Sequence, residues 1–459
     1  MTTLLTVWMI AAFVRFAAPQ TPPRQVTFTE TIAPIIYENC VTCHRPGEAA
    51  PFSLITYEDV RKRGAMIAAV TKSRYMPPWH AAEGYGEFKD ERRLTNAEID
   101  AIGAWVGQGM PEGDPAKLMQ PPGFPEGWNL GRPDLVLEMP AGYELPASGP
   151  DIFRNFVIPT NLTEDKWVRA IELRPSARKA VHHVLFAYDA DGALRKQDGA
   201  DGQPGYAGTM APVGVGGRGG NVGGLGGWAV GSPAFLMPEG TAAKLPKGAD
   251  FVLQTHFHLT GKPESERTRV GIYFADKAPE NDLFGIELPP LWGFGAGLNI
   301  PAGRKDYTFE DSLTLPVDAH AFGLYAHAHY VAKEMKATAT LPDGTTKPLV
   351  WIQDWDFNWQ DPYMYKTPVF LPKGTKIDVL FLYDNSVDNP RNPNNPPKTV
   401  MWGEQTSEEM ASIIIQMIPV RKEDGPVLGQ LLSDRQREAI QRGIQDGTLM
   451  RMQQQRQRR

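Results

Sequence analysis

Cysteine is almost absent from this chain, with two residues, Cys40 and Cys43, in 459. A fold stapled by several disulfides is thereby excluded, and both thiols fall in one short motif. An excess of positive charge is missing as well. Lys and Arg total 47 against 53 Asp and Glu, a formal net charge of −6, so no basic field points to a nucleic-acid partner. Long apolar stretches are also lacking. The N-terminal run Leu4–Val14 has eleven residues, too few to span a bilayer but enough for a signal-peptide core. With Ala17 and Ala18 as small residues for cleavage, Met1–Ala18 reads as a signal peptide. The expectation is a secreted or periplasmic protein with no transmembrane span in the mature chain.

Turn formers are abundant instead. The 45 Gly and 41 Pro suit many short strands joined by turns, and the length suggests several domains. The segment 25–111 is different. Apolar residues at Ile32, Ile35 and Ile36 predict a helix over Thr29–Asn39. Thr95 and Glu98 form a capping box before the apolar stripe Ile99, Ile102 and Val106. Between the two helices lies Cys40-Val41-Thr42-Cys43-His44. Two thiols three residues apart reach the two vinyl groups of haem, and the next imidazole becomes an iron ligand. Zinc would need two further donors, and this segment offers only His44 and His80. Met76, in the rigid Met76-Pro77-Pro78-Trp79-His80 loop, is the expected distal haem ligand, with His80 as its rival. The arrangement resembles a small class I cytochrome c domain. Segment 112–133, rich in Pro and Gly, reads as a semi-rigid connector.

Beyond it the pattern is of short strands, among them Trp167–Leu173, Val181–Tyr188, Phe251–His258, Val270–Phe274 and Ser412–Val420. The Gly-rich stretch Gly214–Gly227 reads as a loop without nucleotide-binding context. Six of the nine histidines fall in His182-His183, His256-Phe257-His258 and His327-Ala328-His329. Leu324–Tyr330 alternates as a strand does, so His327 and His329 share a face and offer a two-point chelate. His182 and His183 can share a metal only at a bulge or a strand end. His256 supplies a third imidazole, and a three-histidine site suits copper or zinc.

Four segments resemble the type II copper monooxygenases, the family of peptidylglycine α-hydroxylating monooxygenase and dopamine β-monooxygenase. They are Ala180-Val181-His182-His183-Val184, Leu253-Gln254-Thr255-His256-Phe257, His327-Ala328-His329-Tyr330 and Thr406-Ser407-Glu408-Glu409-Met410, and the likeness covers about Asp134–Val420. The resemblance implies an electron-storing copper on His182, His183 and His256. It implies a second copper, where O2 is activated, on His327, His329 and Met410. Met401 and Met417 compete with Met410 on chemistry but lack its sequence context. Tyr325 stands where the peptide-amidating members carry an arginine, and Ile414 where they carry a tyrosine. A glycine-extended peptide is therefore not the expected substrate. His258 and His320 have no ligand role in this mapping.

The expected fold class is multidomain: a small all-α cytochrome c domain, then two all-β jelly-roll or sandwich domains, 134–280 and 281–420. The tail 421–459 is expected to be disordered apart from one short helix over Asp434–Gln445. The expected function is copper-dependent hydroxylation of a small-molecule C–H bond with O2, fed by one covalent haem c that an external donor reduces. Its electron entry is expected beside His182, His183 and His256. The alternative is a non-catalytic haem and copper electron-transfer or copper-binding protein.

Overall fold

The computed structural model describes residues 25–48, 50–124, 127–208, 222–229 and 234–457. The expected signal peptide, Met1–Ala18, lies outside the described residues.

At the N-terminal end a single π-type turn, Phe28–Ile32, leads into α1 (Ala33–Asn39). Three more helices follow, α2 (Tyr57–Arg61), α3 (Gly64–Lys72) and α4 (Asn96–Gly107). Thr95 caps α4: its hydroxyl accepts the Glu98 N–H at 3.2 Å, and the Glu98 carboxylate accepts the Thr95 N–H at 2.7 Å. That reciprocal pair satisfies two otherwise orphaned donors. Phe28, Ile36, Val60, Ile102 and Trp105 close a small core between the helices.

The expectation of an all-α domain here is overturned. The chain is mostly β-sheet, and these helices do not form a separate domain. The stretch between α3 and α4 leaves the helices and joins the last sheets of the protein. Ala81 bridges to Ile352 and Phe88 to Tyr365, while Ala82 N–H donates to Trp351 O and Lys89 N–H to Met364 O, both at 2.7 Å. The side chains of Ala81 and Phe88 are buried in the C-terminal core, not in the helical one. A two-residue bridge leaves no periodic trace in sequence, so the pattern of helices around it reads as closed when it is not.

The N-terminal β unit contains β1 (Leu135–Glu138), β2 (Ile152–Pro159), β3 (Lys166–Arg174), β4 (Val181–Asp189), β5 (Val222–Ala229), β6 (Asp250–Phe257) and β7 (Arg269–Phe274). One sheet runs β1-β7-β3 with two short strands at its edge, and the other has β2-β6-β4-β5 at its centre. Alternate residues of both sheets, such as Ile171, Ile272, Phe186 and Phe251, meet in one core, as the two-residue period requires. Residues 222–227, expected to be loop, belong to β5, which pairs with β4.

The C-terminal β unit contains β8 (Phe284–Leu288), β9 (Tyr307–Thr314), β10 (Ala319–His327), β11 (Ala332–Thr340), β12 (Thr346–Ile352), β13 (Pro362–Leu371), β14 (Lys376–Tyr383) and β15 (Ser412–Pro419). Its sheets run β8-β15-β10-β13 and β9-β14-β11-β12 and share a core that includes Ile286, Ile415, Met335 and Phe381. Met417, one of the rival copper ligands, is fully buried in that core.

The tail is ordered where disorder was expected. Two helices, α5 (Gly425–Gln445) and α6 (Thr448–Gln457), end the chain, and α5 buries Leu428 and Ala439 against the C-terminal core. Gly295, at φ +64°, lets α5 pass so closely that a Cβ there would lie 2.1 Å from the Ala439 carbonyl oxygen. Among the described residues no helix is long and apolar enough to cross a membrane.

Candidate metal centre

Two bends in the sheets bring the histidines together. In the pairing of β6 with β4, His256 faces His183 and Phe257 faces Val181, so His182 is the extra residue of a bulge. A bulge re-aims side chains that a regular strand would send to opposite faces, which is how adjacent histidines meet here. The Nδ1 of His183 lies 3.1 Å from that of His182 and 3.3 Å from that of His256. Ligand atoms of all three rings lie within 4.8 Å of one another, the one such group of three or more His, Cys, Asp or Glu among the described residues. His256 Nε2–H donates to Asp151 Oδ2 at 2.9 Å, and Asp151 Oδ1 accepts from His258 Nδ1–H at 3.0 Å. A carboxylate on the far nitrogen fixes the tautomer and leaves Nδ1 as the donor atom.

The second set forms where β10 ends. The strand stops at His327, so His329 lies beyond it and not on the same strand face as expected; the two rings stand at 87° with centroids 5.2 Å apart. His327 Nδ1–H donates to Gln360 Oε1 at 2.6 Å, and His329 Nδ1–H to the Glu408 carbonyl at 3.2 Å. Nε2 of each ring is thereby left as the free donor. Glu409 joins this pair to the methionine. Its buried carboxylate accepts the backbone N–H of His329 and, at 2.8 Å, that of Met410. Met410 is also held through its carbonyl, which accepts from Tyr383 Oη at 2.9 Å.

Burial lowers the pKa of every one of these imidazoles, because a desolvated ring resists charge. His182 and His327 fall to about 4 and His329 to about 3. His183 and His256 fall well below the usual value, through burial first and their histidine neighbours second. All five rings are therefore neutral at pH 7, the form that binds metal.

Three further residues escaped the sequence reading. Phe357 stacks on His182 with centroids 5.1 Å apart and also meets His329 at 5.7 Å. Trp292 stands edge-on to His327 at 4.8 Å. Its turn is strained, with Leu291 and Trp292 at φ 56° and 59°, and half-buried Glu287 holds it by accepting both N–H groups at 2.8 and 2.9 Å. Such a residue has no motif. Only a carboxylate in an otherwise apolar strand, Phe284-Gly-Ile-Glu-Leu288, gives a hint.

The helical segment lies against both β units. Glu48 pairs with Arg178, four residues before His182. Arg92 pairs with Asp361 at 2.7 Å, next to Gln360. Cys43 opens on a cavity of about 260 Å³ walled by Leu130, Leu173, Trp228, Arg174 and Arg178. Cys40 and Cys43 are not joined in a disulfide, and burial pushes Cys40 up to about 12. His44 Nδ1–H donates to the Phe52 carbonyl at 3.2 Å, leaving Nε2 as its ligating atom. Met76 is half-buried. Burial lowers the pKa of His80, against the opposing charges of Asp356, Asp361 and Asp354 of the C-terminal unit. Segment 112–133, read as a semi-rigid connector, is hydrogen-bonded at both ends. Phe28 N–H donates to Pro111 O and Thr29 N–H to Glu112 O, each at 3.0 Å, while the Glu172 carboxylate accepts the Asn129 N–H at 2.8 Å.

No protein-family model matches this chain, and no curated protein matches it. Solved structures overlap it loosely. The VP2 subviral particle of infectious bursal disease virus shares 10% identity at a TM-score of 0.19, over 64% of this chain and 74% of that one. The CBM22-1-CBM22-2 tandem domain of Paenibacillus barcinonensis Xyn10C shares 8% identity at a TM-score of 0.15, over 62% and 93%. Likeness at this level carries no argument about fold or function.

Proposed function

We propose that this protein is a copper-dependent monooxygenase carrying a covalent haem, acting outside the cytoplasm on a small uncharged molecule. The observation that supports it best is the meeting of two donor sets of different chemistry in one buried place. One set is three neutral imidazoles, His182, His183 and His256. The other is two imidazoles, His327 and His329, tied through Glu409 to the loop of a thioether, Met410. Imidazoles with a soft sulfur suit copper in its reduced state, and three imidazoles suit copper or zinc. His182, His183 and His256 would hold one copper ion and His327, His329 and Met410 a second, and copper would supply one-electron chemistry with O2.

The chain's own residues set the conditions. Asp151 and Gln360 fix which nitrogen of His256 and His327 is presented. Phe357 and Trp292 keep water from the rings, and a dry site strengthens each polar contact within it. Tyr325 and Ile414 are register partners on β10 and β15, and cross-strand partners share a face. Tyr325 spends its hydroxyl on Gln360 at 3.0 Å, and Ile414 has no charge to offer. Neither of these two side chains carries a positive charge to hold a carboxylate, which favours an uncharged substrate.

Cys40, Cys43 and His44 would hold the haem. His44 presents Nε2, and Cys43 lies on a cavity whose wall carries Leu130, Leu173 and Trp228 beside Arg45, Arg174 and Arg178, the arginines paired with Glu48 and Glu172; the apolar part of that wall suits a flat apolar ring. Among the described residues no further His, Cys, Asp or Glu joins the cysteine pair in a three-donor group, which weighs against zinc. When bound, haem supplies single electrons. A redox group beside two redox metals favours electron chemistry over hydrolysis. The test is protein matured with haem, loaded with copper and given isotopically labelled O2 with a periplasmic small-molecule extract. A labelled hydroxylated product is expected, absent in Met410→Ala. Oxygen uptake with no labelled product would refute the enzyme reading and leave a metal-binding or electron-transfer protein.

A further inference from the structure

We propose that Gln416 contacts the substrate, and that the substrate is an uncharged molecule with an apolar body and a hydroxyl at the end away from His327. This rests on the reading above that the His327 set holds the oxidising metal. Ile413, Ile415 and Met417 of β15 lie in the core, so Ser412, Ile414 and Gln416 point to the other face of the sheet. On that face Ser412 is opposite His327, Ile414 opposite Tyr325, and Gln416 opposite Gly323. From the level of His327 to Gln416 is four residues of β15, or about 13 Å of strand.

Gln416 is flanked by glycine on both sides. Its partner on β8 is Gly285 and its partner on β10 is Gly323. Its Oε1 is nonetheless buried, with no hydrogen-bond partner among the described residues. A buried acceptor left unpaired is costly, and a bound donor would relieve that cost. An amide can present its oxygen or its nitrogen, and a hydroxyl, which both donates and accepts, fits either. Between Gln416 and His327 the strip is apolar. Ile414, Tyr325 and Trp292 are half-buried, and Trp292 lies 6.5 Å from Tyr325 and 4.8 Å from His327. Glu287, opposite Ile414 on β8, is spent on Ser412 Oγ and on the Leu291 and Trp292 N–H groups. Met364 fills the space over Gly323, where a Cβ would lie 2.6 Å from its Sδ. Gly285 is exposed, so the strip meets solvent at its Gln416 end.

The test is calorimetric titration of the copper-loaded, full-length protein with n-nonanol and with its isomer octyl methyl ether, which lacks the donor. The alcohol is expected to bind about tenfold more tightly than the ether. Gln416→Leu should erase that preference and leave the unfolding midpoint unchanged or raised, because it removes an unpaired buried oxygen. Equal binding of the two probes, no binding of either, or a preference that survives Gln416→Leu would overturn the proposal. So would a Gln416→Leu protein that fails to fold, since the amide would then be a structural group. The labelled-O2 experiment is read separately. A preference set by Gln416 with no labelled product would uphold this contact and refute the enzyme reading alone.

Discussion

His327 donates its Nδ1–H to Oε1 of Gln360 at 2.6 Å, and Gln360 accepts from Tyr325 Oη through the same oxygen. One amide thus sets the orientation of a candidate ligand and occupies the side chain beside it. Removing such a partner costs a metal site about 10–100-fold in affinity. Gln360→Ala should weaken copper at the His327 set by that factor and leave the His182 set unchanged. Competitive titration against a copper chelator reads both sites. Equal weakening at the two would contradict the assignment.

Asp151 should act the same way on the first set. Its two oxygens join His256, which is buried, to His258, which is exposed. Asp151→Ala should lower copper affinity at His182, His183 and His256 by about 10–100-fold. His258→Ala, which leaves the Asp151–His256 bond in place, should have a much smaller effect. If His258→Ala proves the more damaging, His258 is a ligand and the mapping is wrong.

Much of this centre was legible in sequence, and the exceptions have physical causes. Short runs bounded by turn signals located β3, β4, β6, β7 and β15 to within a residue or so. The histidine clusters stood out by composition. The bulge at His182 was recognisable only as a condition, since its register depends on a partner strand seventy residues away. Glu287, Phe357 and Gln360 act through tertiary contact alone, and no spacing rule reports that. The separate all-α domain was misread because helix caps and periodicity report helices, whereas domain closure depends on where Ala81 and Phe88 are buried. The tail helix α5 was underestimated because its apolar stripe is sparse. It is stabilised by the surface it meets more than by its own propensity.

That helix gives a test in which two effects oppose. Gly443 lies within α5, where alanine would gain about 1 kcal/mol in helix propensity. A Cβ there would, however, lie 2.2 Å from the Phe294 ring, and overpacking costs about 1–3 kcal/mol. Overpacking should win. Gly443→Ala should lower the denaturation midpoint of the C-terminal unit, followed by urea titration. A raised midpoint would mean α5 is free to shift.

Acid should loosen the N-terminal β unit through Asp201. Hydrogen bonds from buried Arg154 hold its carboxyl at about 2, below the value near 3.9 of an unfolded chain. A depressed acid stabilises the fold above its unfolded pKa and loses that contribution as the pH falls through the folded one. Unfolding midpoints should therefore drop between about pH 4 and pH 2 in the native sequence, and drop less in Asp201→Asn. Parallel curves would remove the pair from the stability account.

The central claim is that His182, His183 and His256 hold one copper while His327, His329 and Met410 hold another. X-ray absorption at the copper edge of the fully reduced protein tests it most directly. The account predicts two coppers per chain and a copper–sulfur shell at about 2.3 Å, if the bond resembles other soft sulfur–metal contacts. That shell should vanish in Met410→Ala while the imidazole scattering stays. A spectrum with nitrogen alone, or a sulfur shell that survives Met410→Ala, would contradict it.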